Sequence, residues 1–525
     1  MLTNHRFPLS LCASVALVSL FAQTNRGGIS GTVFDPTGAA VPGATVTITN
    51  IGTSQTLRLA ASEAGSYAAP NLEPVTYRVE VEAAGFRKAA VASVKVDTAT
   101  TATVNVTLQP GAVETQISVT AEAPLINAES GAAGQTITER QIVDVPLNNR
   151  SVLDLAVTLP NVTGDVGSED PTVTSGATVP GFNLSVNGGR PGSTMILADG
   201  VNNTGVGLAR AVVSFSPETV QEFTVQTSAY SAEYGTTGGG VINATTKSGT
   251  NQLSGTALWY TRNPATNAAP FTTATTNRPH ANLRTNQFSL AAGGPVVLPK
   301  VYNGRNRTFF FTAFEPRYRQ DHVQADSLLP TDAMRNGDFS NLARVDGGWA
   351  PADIAARFGV RVTGDSTIYQ QFNLVGSQLQ QIPLGSGQTY APFPGNRIPQ
   401  SLLDSSALKA LQYLPHAGSY YINGGGQLVN YSVLRFVKQN EKRLTARLDH
   451  NVSSNNRLNF RITSIPAVGQ KGFGSDINGN SADYSYSRQL MLADTYTVSA
   501  NARSTTCGST TRGAGSAAPL RRSSM

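Results

Sequence analysis

Strict alternation of apolar and polar positions dominates this chain, and it comes in short and long runs. Between Gly27 and Pro110 the runs are short: Val46 and Ile48 within Thr45–Thr49; Tyr77, Val79 and Val81 against Arg78, Glu80 and Glu82; then Val104, Val106 and Leu108. A period of two marks half-buried strands, and the Pro/Gly-rich stretch from Asp35 to Gly43 reads as a turn between two of them. Several such strands predict a small β-sandwich over 27–110. The longest run comes later, where Leu444, Ala446 and Leu448 alternate with Arg443, Thr445, Arg447 and Asp449. After a Ser/Asn turn, Leu458, Phe460 and Ile462 alternate with Arg457, Asn459 and Arg461. A soluble sandwich would turn the apolar side inward. About ten residues per strand and a short polar turn instead suit a transmembrane barrel hairpin, with leucines toward lipid and arginines toward a wet lumen.

Between these regions the texture is mixed. Val152, Leu155 and Ala156 recur at helical spacing after an Asn/Arg/Ser start. The stretch "FNLSVNGGRPGSTMILADGVNN" reads as strand, Gly-rich turn and strand. In "SAEYGTTGGGVINATTKSGTN", residues 231–251, three consecutive glycines precede β-branched residues that favour strand. A glycine inside such a run lets another backbone approach closely. Beyond Leu253, strands are expected near Ser254–Thr261, Asn286–Ala292, Arg307–Arg319 and Leu490–Ala500. "RTFFFTAFEPRYR" there suits a lipid-facing wall or an interfacial girdle. A long polar insertion, Gln320 to Asn430, carries one short helix after Ser401; loops of that length are usually functional or disordered.

Six or seven wall strands are readable, whereas large barrels with a plugged lumen have about 22. An open wall leaves unpaired edges in lipid, so the expectation is an incomplete barrel over 251–500. Residues 501–525 lose alternation and are expected to form an aberrant or disordered tail, of a truncated or frame-shifted product or of a gene fragment.

Composition agrees with an all-β envelope protein: charged residues are 14% of the total and aromatics 7%, with 50 Gly and 28 Pro. The net charge of +6 is scattered, with no basic run interleaved with aromatics, so no nucleic-acid partner is expected. His5 and Arg6 precede an apolar run from Leu9 to Phe21, which reads as a secretory signal peptide over 1–22 and is too short for a spanning helix. Its removal takes away Cys12 and leaves Cys507 alone, excluding an internal disulfide. The histidines at 280, 322, 416 and 450 are far apart, and no nucleophile elbow, P-loop or zinc helix is present. No enzyme, cofactor or metal is expected; "DINGNSAD" has alternate oxygen ligands but Ser481 and Ser487 where a calcium loop needs Gly and Glu.

Two resemblances sharpen the picture. Gly31, Val33, Asp35, Gly38, Pro42-Gly43-Ala44, Val46, Gly65, Tyr67, Leu72, Tyr77 and Gly85-Phe86 make the first unit similar to the carboxypeptidase regulatory-like domain, a relative of starch-binding folds. Carbohydrate binding would need exposed aromatic platforms, and the aromatics at hand, Tyr67, Tyr77 and Phe86, read as core instead. Residues 125–250 resemble the plug of TonB-dependent receptors, the Oar-like group. The likeness rests on Asn187-Gly188-Gly189-Arg190, Leu197, Asp199-Gly200-Val201, Val220–Val225, Ala232-Glu233-Tyr234-Gly235 and Gly239-Gly240-Val241-Ile242-Asn243. It implies structural roles for these motif residues, with the glycines at 238–240 packing the last plug strand before Lys247–Asn251 cross to the wall.

Within the linker 111–124, Glu114, Thr115, Ile117, Val119 and Ala121 resemble a TonB box, an extended strand free to join a partner's sheet; one more edge strand is the equal alternative. The whole reads as a mainly β protein: N-terminal sandwich, mixed α+β plug, incomplete antiparallel transmembrane barrel. The resemblance implies an outer-membrane receptor importing a small molecule, peptide or saccharide, with TonB and membrane lipid as partners. The competing reading is a secreted or surface β-sandwich binding protein, with carbohydrate as one candidate ligand.

Overall fold

The computed structural model describes residues 26–111, 117–119, 133–145, 147, 150–164, 184–205, 211–230, 234–235, 237–266, 283–345, 348–364, 366–375, 378–423, 427–472, 480–499 and 502–517. The signal-peptide reading lies outside them.

The N-terminal unit contains β1 (Gly27–Phe34), β2 (Thr45–Asn50), β3 (Thr56–Ala60), β4 (Ser66–Leu72), β5 (Thr76–Glu82), β6 (Ala89–Lys95), β7 (Thr101–Thr103), β8 (Val106–Thr107) and β9 (Ile117–Val119). One sheet runs β4-β1-β7 with β8 also on β1; the other runs β3-β2-β5-β6-β9. The alternating residues Val46, Ile48, Val79, Val81, Val104 and Leu108 meet between the sheets, as their period requires. Tyr67 and Tyr77 join this core, and the Tyr67 hydroxyl donates to the Val104 carbonyl at 2.7 Å. Burial pushes both phenols up in pKa. Neither ring is an exposed platform, and Phe86 is half-buried against the same core.

The middle unit begins with β10 (Ala133–Thr138) and α1 (Glu139–Asp144). The Thr138 amide donates to the Gln141 side chain at 2.9 Å, closing the first turn of α1. The helical period at Val152–Ala156 is a 3₁₀ helix, Val152–Thr158, whose apolar side faces the core. There follow β11 (Val162–Thr163), β12 (Ser185–Val186), β13 (Met195–Ala198), β14 (Val201–Asn202), β15 (Val220–Ser228) and β16 (Val241–Thr246). The sheet order is β10-β15-β16-β13-β14, with β13 and β16 parallel. Every residue of β16 is buried. At Gly240, just before β16, a Cβ would meet Val186 Cγ1 at 2.6 Å and the Gln226 carbonyl at 2.7 Å, so only glycine lets the strand pass between them.

The third unit is one antiparallel sheet. Its members are β17 (Ser254–Arg262), β18 (Arg284–Pro295), β21 (Thr308–Ser327), β29 (Tyr431–Asn451), β30 (Asn456–Gly472), β31 (Asn480–Ser499) and β32 (Ala502–Ala517), paired in that order. The small hairpin β19 (Val297–Leu298) and β20 (Tyr302–Asn303) lies between β18 and β21. The insertion between β21 and β29 holds β22 (Leu342–Val345), β23 (Gly348–Pro351), β24 (Val362–Gly364), β25 (Phe372–Val375), β26 (Gln378–Gln381), β27 (Tyr421–Ile422) and β28 (Leu428–Val429). Val345, Ala350, Ala355 and Leu428 give that insertion a core of its own. The helix expected after Ser401 is Ser405–Leu411, capped by Asp404, which accepts the Ala407 amide at 2.8 Å.

Two expectations are corrected here. Ala502–Ala517 is not an irregular tail but a strand paired with β31 from Tyr484 to Ser499; backbone pairing needs no hydrophobic alternation, which is why the pattern missed it. The arginines of the β29–β30 hairpin do face the side opposite to Leu444, Leu448, Leu458, Phe460 and Ile462, which are 37–42% exposed. They do not, however, look into water: Arg443, Arg447, Arg457 and Arg461 are all at most 7% exposed. The middle and N-terminal units cover them.

Candidate functional site

The most chemically distinctive feature of the molecule is a buried ionic seam where all three units meet. On the wall side it follows from register. The hairpin pairs Arg447 with Arg461, Asp449 with Asn459 and Asn451 with Arg457. A period of two sends all of these to one face, so cationic side chains crowd there. Like charges directly opposite are destabilising unless something intervenes.

What intervenes is Asp199 of the middle unit. It sits in the tight turn from β13 to β14 at φ +52°, a left-handed conformation that Asp tolerates better than most residues. Parallel pairing of Ala198 with Ala244 lays this turn beside the end of β16. The Asp199 amide donates to the Ala244 carbonyl at 2.9 Å, and the Gly200 amide donates to Asn243 Oδ1 at 3.1 Å. The carboxylate accepts the Thr246 amide at 2.7 Å and the Thr246 hydroxyl at 2.8 Å. Its free edge then faces the wall, with Arg461 Nε 2.7 Å from Oδ2 and Arg447 Nη1 3.6 Å from Oδ1. Arg447 Nη1 also donates to the Thr246 carbonyl at 2.8 Å. Arg461 is fully buried, its guanidinium 5.2 Å above the Phe215 ring.

The N-terminal unit reaches the same arginines through Glu73, which follows β4. Arg447 Nη2 lies 3.5 Å and Arg26 Nη1 3.6 Å from Glu73 Oε1, and Arg457 Nη1 donates to Oε2. Arg26 Nη2 donates to Asn459 Oδ1 at 3.0 Å. Arg447 is therefore shared between a carboxylate of the N-terminal unit and one of the middle unit, while its Nε is held by Asp449 at 3.0 Å. Nearby, Glu222 of β15 accepts the Thr98 amide at 2.7 Å, and the Thr98 and Thr245 hydroxyls are 3.2 Å apart. Burial, with smaller contributions including Asp97, pushes Glu222 up to about 7.

A second buried ionic cluster lies further along the wall. Arg150 and Glu218 of the middle unit pair with each other, and Ser289 Oγ of β18 donates to Glu218 at 3.3 Å. Beside them Arg443 donates to Glu315 at 3.0 Å and to Glu441 at 2.7 Å, and Arg317 donates to Glu441 at 2.7 Å. Pairs this deeply buried cost desolvation and are strongly destabilising to break one-sidedly. In this cluster each ion pair stays within one unit, and the Ser289 hydrogen bond to Glu218 links the middle unit to the wall. Among the described residues no cluster of three or more metal-binding side chains occurs.

The motif residues divide between two places. Asp199, Gly200 and Asn243 are in the seam. Asn187 and Gly188, both at positive φ, form the turn after β12, where the Asn187 side-chain amide donates to the Thr227 carbonyl. The Arg190 carbonyl accepts from Ser193. Tyr234 packs with Met195, Leu197 and Val241, Gly235 lies in open space, and Gly239 borders Ser193 beside Gly240. Of the candidate partner-binding segment, Ile117 and Val119 lie in β9, which pairs in parallel with β6; Glu114, Thr115 and Ala121 fall outside the described residues. Sequence reasoning missed Glu73, Glu218, Glu222 and Arg150, for which charge in an otherwise buried pattern was the available signal.

Residues 245–522 match the outer membrane beta barrel domain family, and residues 28–109 match the carboxypeptidase regulatory-like domain. Among curated proteins, the TonB-dependent transporter Oar of Myxococcus xanthus is 26% identical over 335 residues, covering 60% of this chain and 29% of its own length. Among solved structures, the outer membrane transporter YddB of Escherichia coli aligns at 11% identity and TM-score 0.38, over 70% of this chain and 37% of that one. The ferric enterobactin receptor PfeA of Pseudomonas aeruginosa aligns at 12% identity and TM-score 0.34, over 70% and 39%. The chain thus spans less than a third of the length of the curated relative it matches.

Proposed function

The chain belongs to the outer membrane beta barrel domain family and is an outer-membrane protein, and on that premise we propose that it is the receptor-side portion of a TonB-dependent importer. The observation that carries this reading is the division of the wall into two faces. One side is apolar and uncovered, with Leu444, Leu448, Phe460 and Leu492 exposed; the other is charged and covered by the middle unit. A polar wall face filled by a separate folded unit is what a plugged lumen requires. In this reading the middle unit is the plug, and its motif residues are structural.

The flat edges of the wall sheet, β17 and β32, need pairing in lipid, where an unsatisfied backbone group costs several kcal/mol. Energy arrives mechanically: TonB adds to the extended segment around Glu114, Thr115, Ile117, Val119 and Ala121 by strand pairing and pulls. The solute is a small molecule, peptide or saccharide met by the insertion between β21 and β29.

Spin labels at successive positions of Leu444–Leu448 and Leu458–Ile462 in outer-membrane preparations test the barrel placement. Lipid accessibility should appear at every second site; a flat profile, or recovery of the chain in the soluble secreted fraction, would sink it. For coupling, deletion of residues 113–121 should abolish capture of a purified periplasmic domain of TonB. Undiminished capture would exclude that segment.

A further inference from the structure

The candidate coupling segment is already used as a strand. Ala89, Ala90 and Val91 of β6 pair in parallel with Ile117, Ser118 and Val119 of β9, which takes the last place in the five-stranded sheet. Without β9, the edge of β6 would present bare amides and carbonyls to any passing strand.

The local chain path favours this return. Arg87 N donates to the Gln109 carbonyl at 2.8 Å, Phe86 bridges Pro110, and Gly111 N donates to the Gly85 carbonyl at 3.2 Å, so the end of the sandwich is pinned beside the start of β6. Gly111 then takes φ +147°, and a Cβ there would come within 2.4 Å of Arg87 Nε. The angle is what calls for glycine, since the exposed Arg87 side chain could move aside. Five residues separate it from Ile117, a tether short enough to give β9 a millimolar-range effective concentration at the β6 edge. The route from β6 through the opposite sheet supplies the long crossover that parallel pairing needs.

We propose that the N-terminal sandwich stores the coupling strand: Ile117–Val119 is withheld on β6, and a strand-adding periplasmic partner engages it fully only when β9 leaves. This deepens the coupling reading above and rests on it for the identity of the partner, not for the storage. A three-residue strand is a weak hold, which suits a segment that must be released. Competition from the tethered edge lowers the partner's apparent affinity by the fraction of chains in which β9 is free.

The test uses the full chain in detergent with Cys12 and Cys507 replaced by serine. Two variants are compared with it: Ala90→Cys with Ser118→Cys, and Gly111→Val. Amide exchange reads storage directly. Protection at Ile117–Val119, and at those amides of Ala89–Val91 that point away from β5, is expected in the parent and should fall at least tenfold in Gly111→Val. Absence of protection in the parent, or failure of the cysteine pair to cross-link under oxidation, overturns storage.

Binding of a purified periplasmic TonB domain reads the competition. The oxidised cysteine pair should bind at least tenfold more weakly than its reduced form, and Gly111→Val severalfold more tightly than the parent. Equal or tighter binding by the oxidised form overturns withholding, since the strand is then offered rather than held back. If no form binds, the coupling reading and the competition both fall, while amide exchange still decides storage on its own.

Discussion

Arg447 and Arg461 stand directly opposite each other in β29 and β30, and both reach the carboxylate of Asp199 from another unit. Asp449 of β29 holds Arg447 from within the wall, but the anion that both arginines share comes from the middle unit. The wall face is therefore incomplete as chemistry until that unit is seated, and the charge complement makes seating specific.

Asp199→Asn should destabilise the seated unit by about 3–5 kcal/mol, because two buried guanidinium groups lose their shared anion. Denaturant unfolding in detergent, followed by a probe on the middle unit, would measure it. Pairing Asp199→Asn with Arg461→Gln should recover part of the loss, giving a double-mutant coupling of at least about 1 kcal/mol. Simple additivity would mean the contact contributes nothing.

Glu73→Gln acts on the N-terminal unit instead. It strips the carboxylate shared by Arg26, Arg447 and Arg457, so the sandwich should detach without unfolding. Limited proteolysis near Pro110–Gly111 is expected to speed up about tenfold, while the sandwich's own melting transition stays put. Because the pairs are buried, raising salt to about 0.5 M should mimic the mutation only weakly.

Glu222 gives this docking a pH dependence of known sign. Its pKa is raised from an ordinary 4.5 to about 7 by burial, so the folded, docked state prefers the protonated acid. Stability is then greatest below the unfolded pKa and declines as pH rises from about 4.5 to 7, levelling off above. Asp97 strengthens the shift and Lys95 opposes it. The expected change is on the order of 1–3 kcal/mol. Glu222→Gln should flatten the profile, and an unchanged profile would show that this carboxyl is not the source.

On the bare face, Leu448→Arg should cost about 2–4 kcal/mol in a bilayer, as for a charge on the lipid side of a barrel. The same replacement at exposed Ser454, in the short turn, should be nearly neutral. Folding yields into lipid vesicles would separate the two.

Periodicity foretold a good deal. Alternation in Thr45–Thr49, Leu444–Leu448 and Leu458–Ile462 depends only on neighbours two positions apart, so strand identity and the face of each side chain were written locally. The glycines at 239 and 240 announced a close backbone approach, and Gly240 has it against Val186 and Gln226. The helical period at Val152–Ala156 tightened to 3₁₀, and Ala502–Ala517 became strand without any alternation, since neighbouring backbone supplied its hydrogen bonds.

The sequence by itself determined that the wall has one oily and one charged side, because spacing along a strand sets direction. Tertiary structure alone decided what the charged side faces. Beside its wall partners Thr463 and Gln489, Arg461 finds its counter-charge, Asp199, about 260 positions upstream, and Arg447, held locally by Asp449, also reaches Glu73 and Asp199. Counter-charges brought together from separate units leave no periodic trace, since burial and pairing are properties of the packed molecule. For the same reason, storage of Ile117–Val119 on β6 was invisible until the sheet order was known.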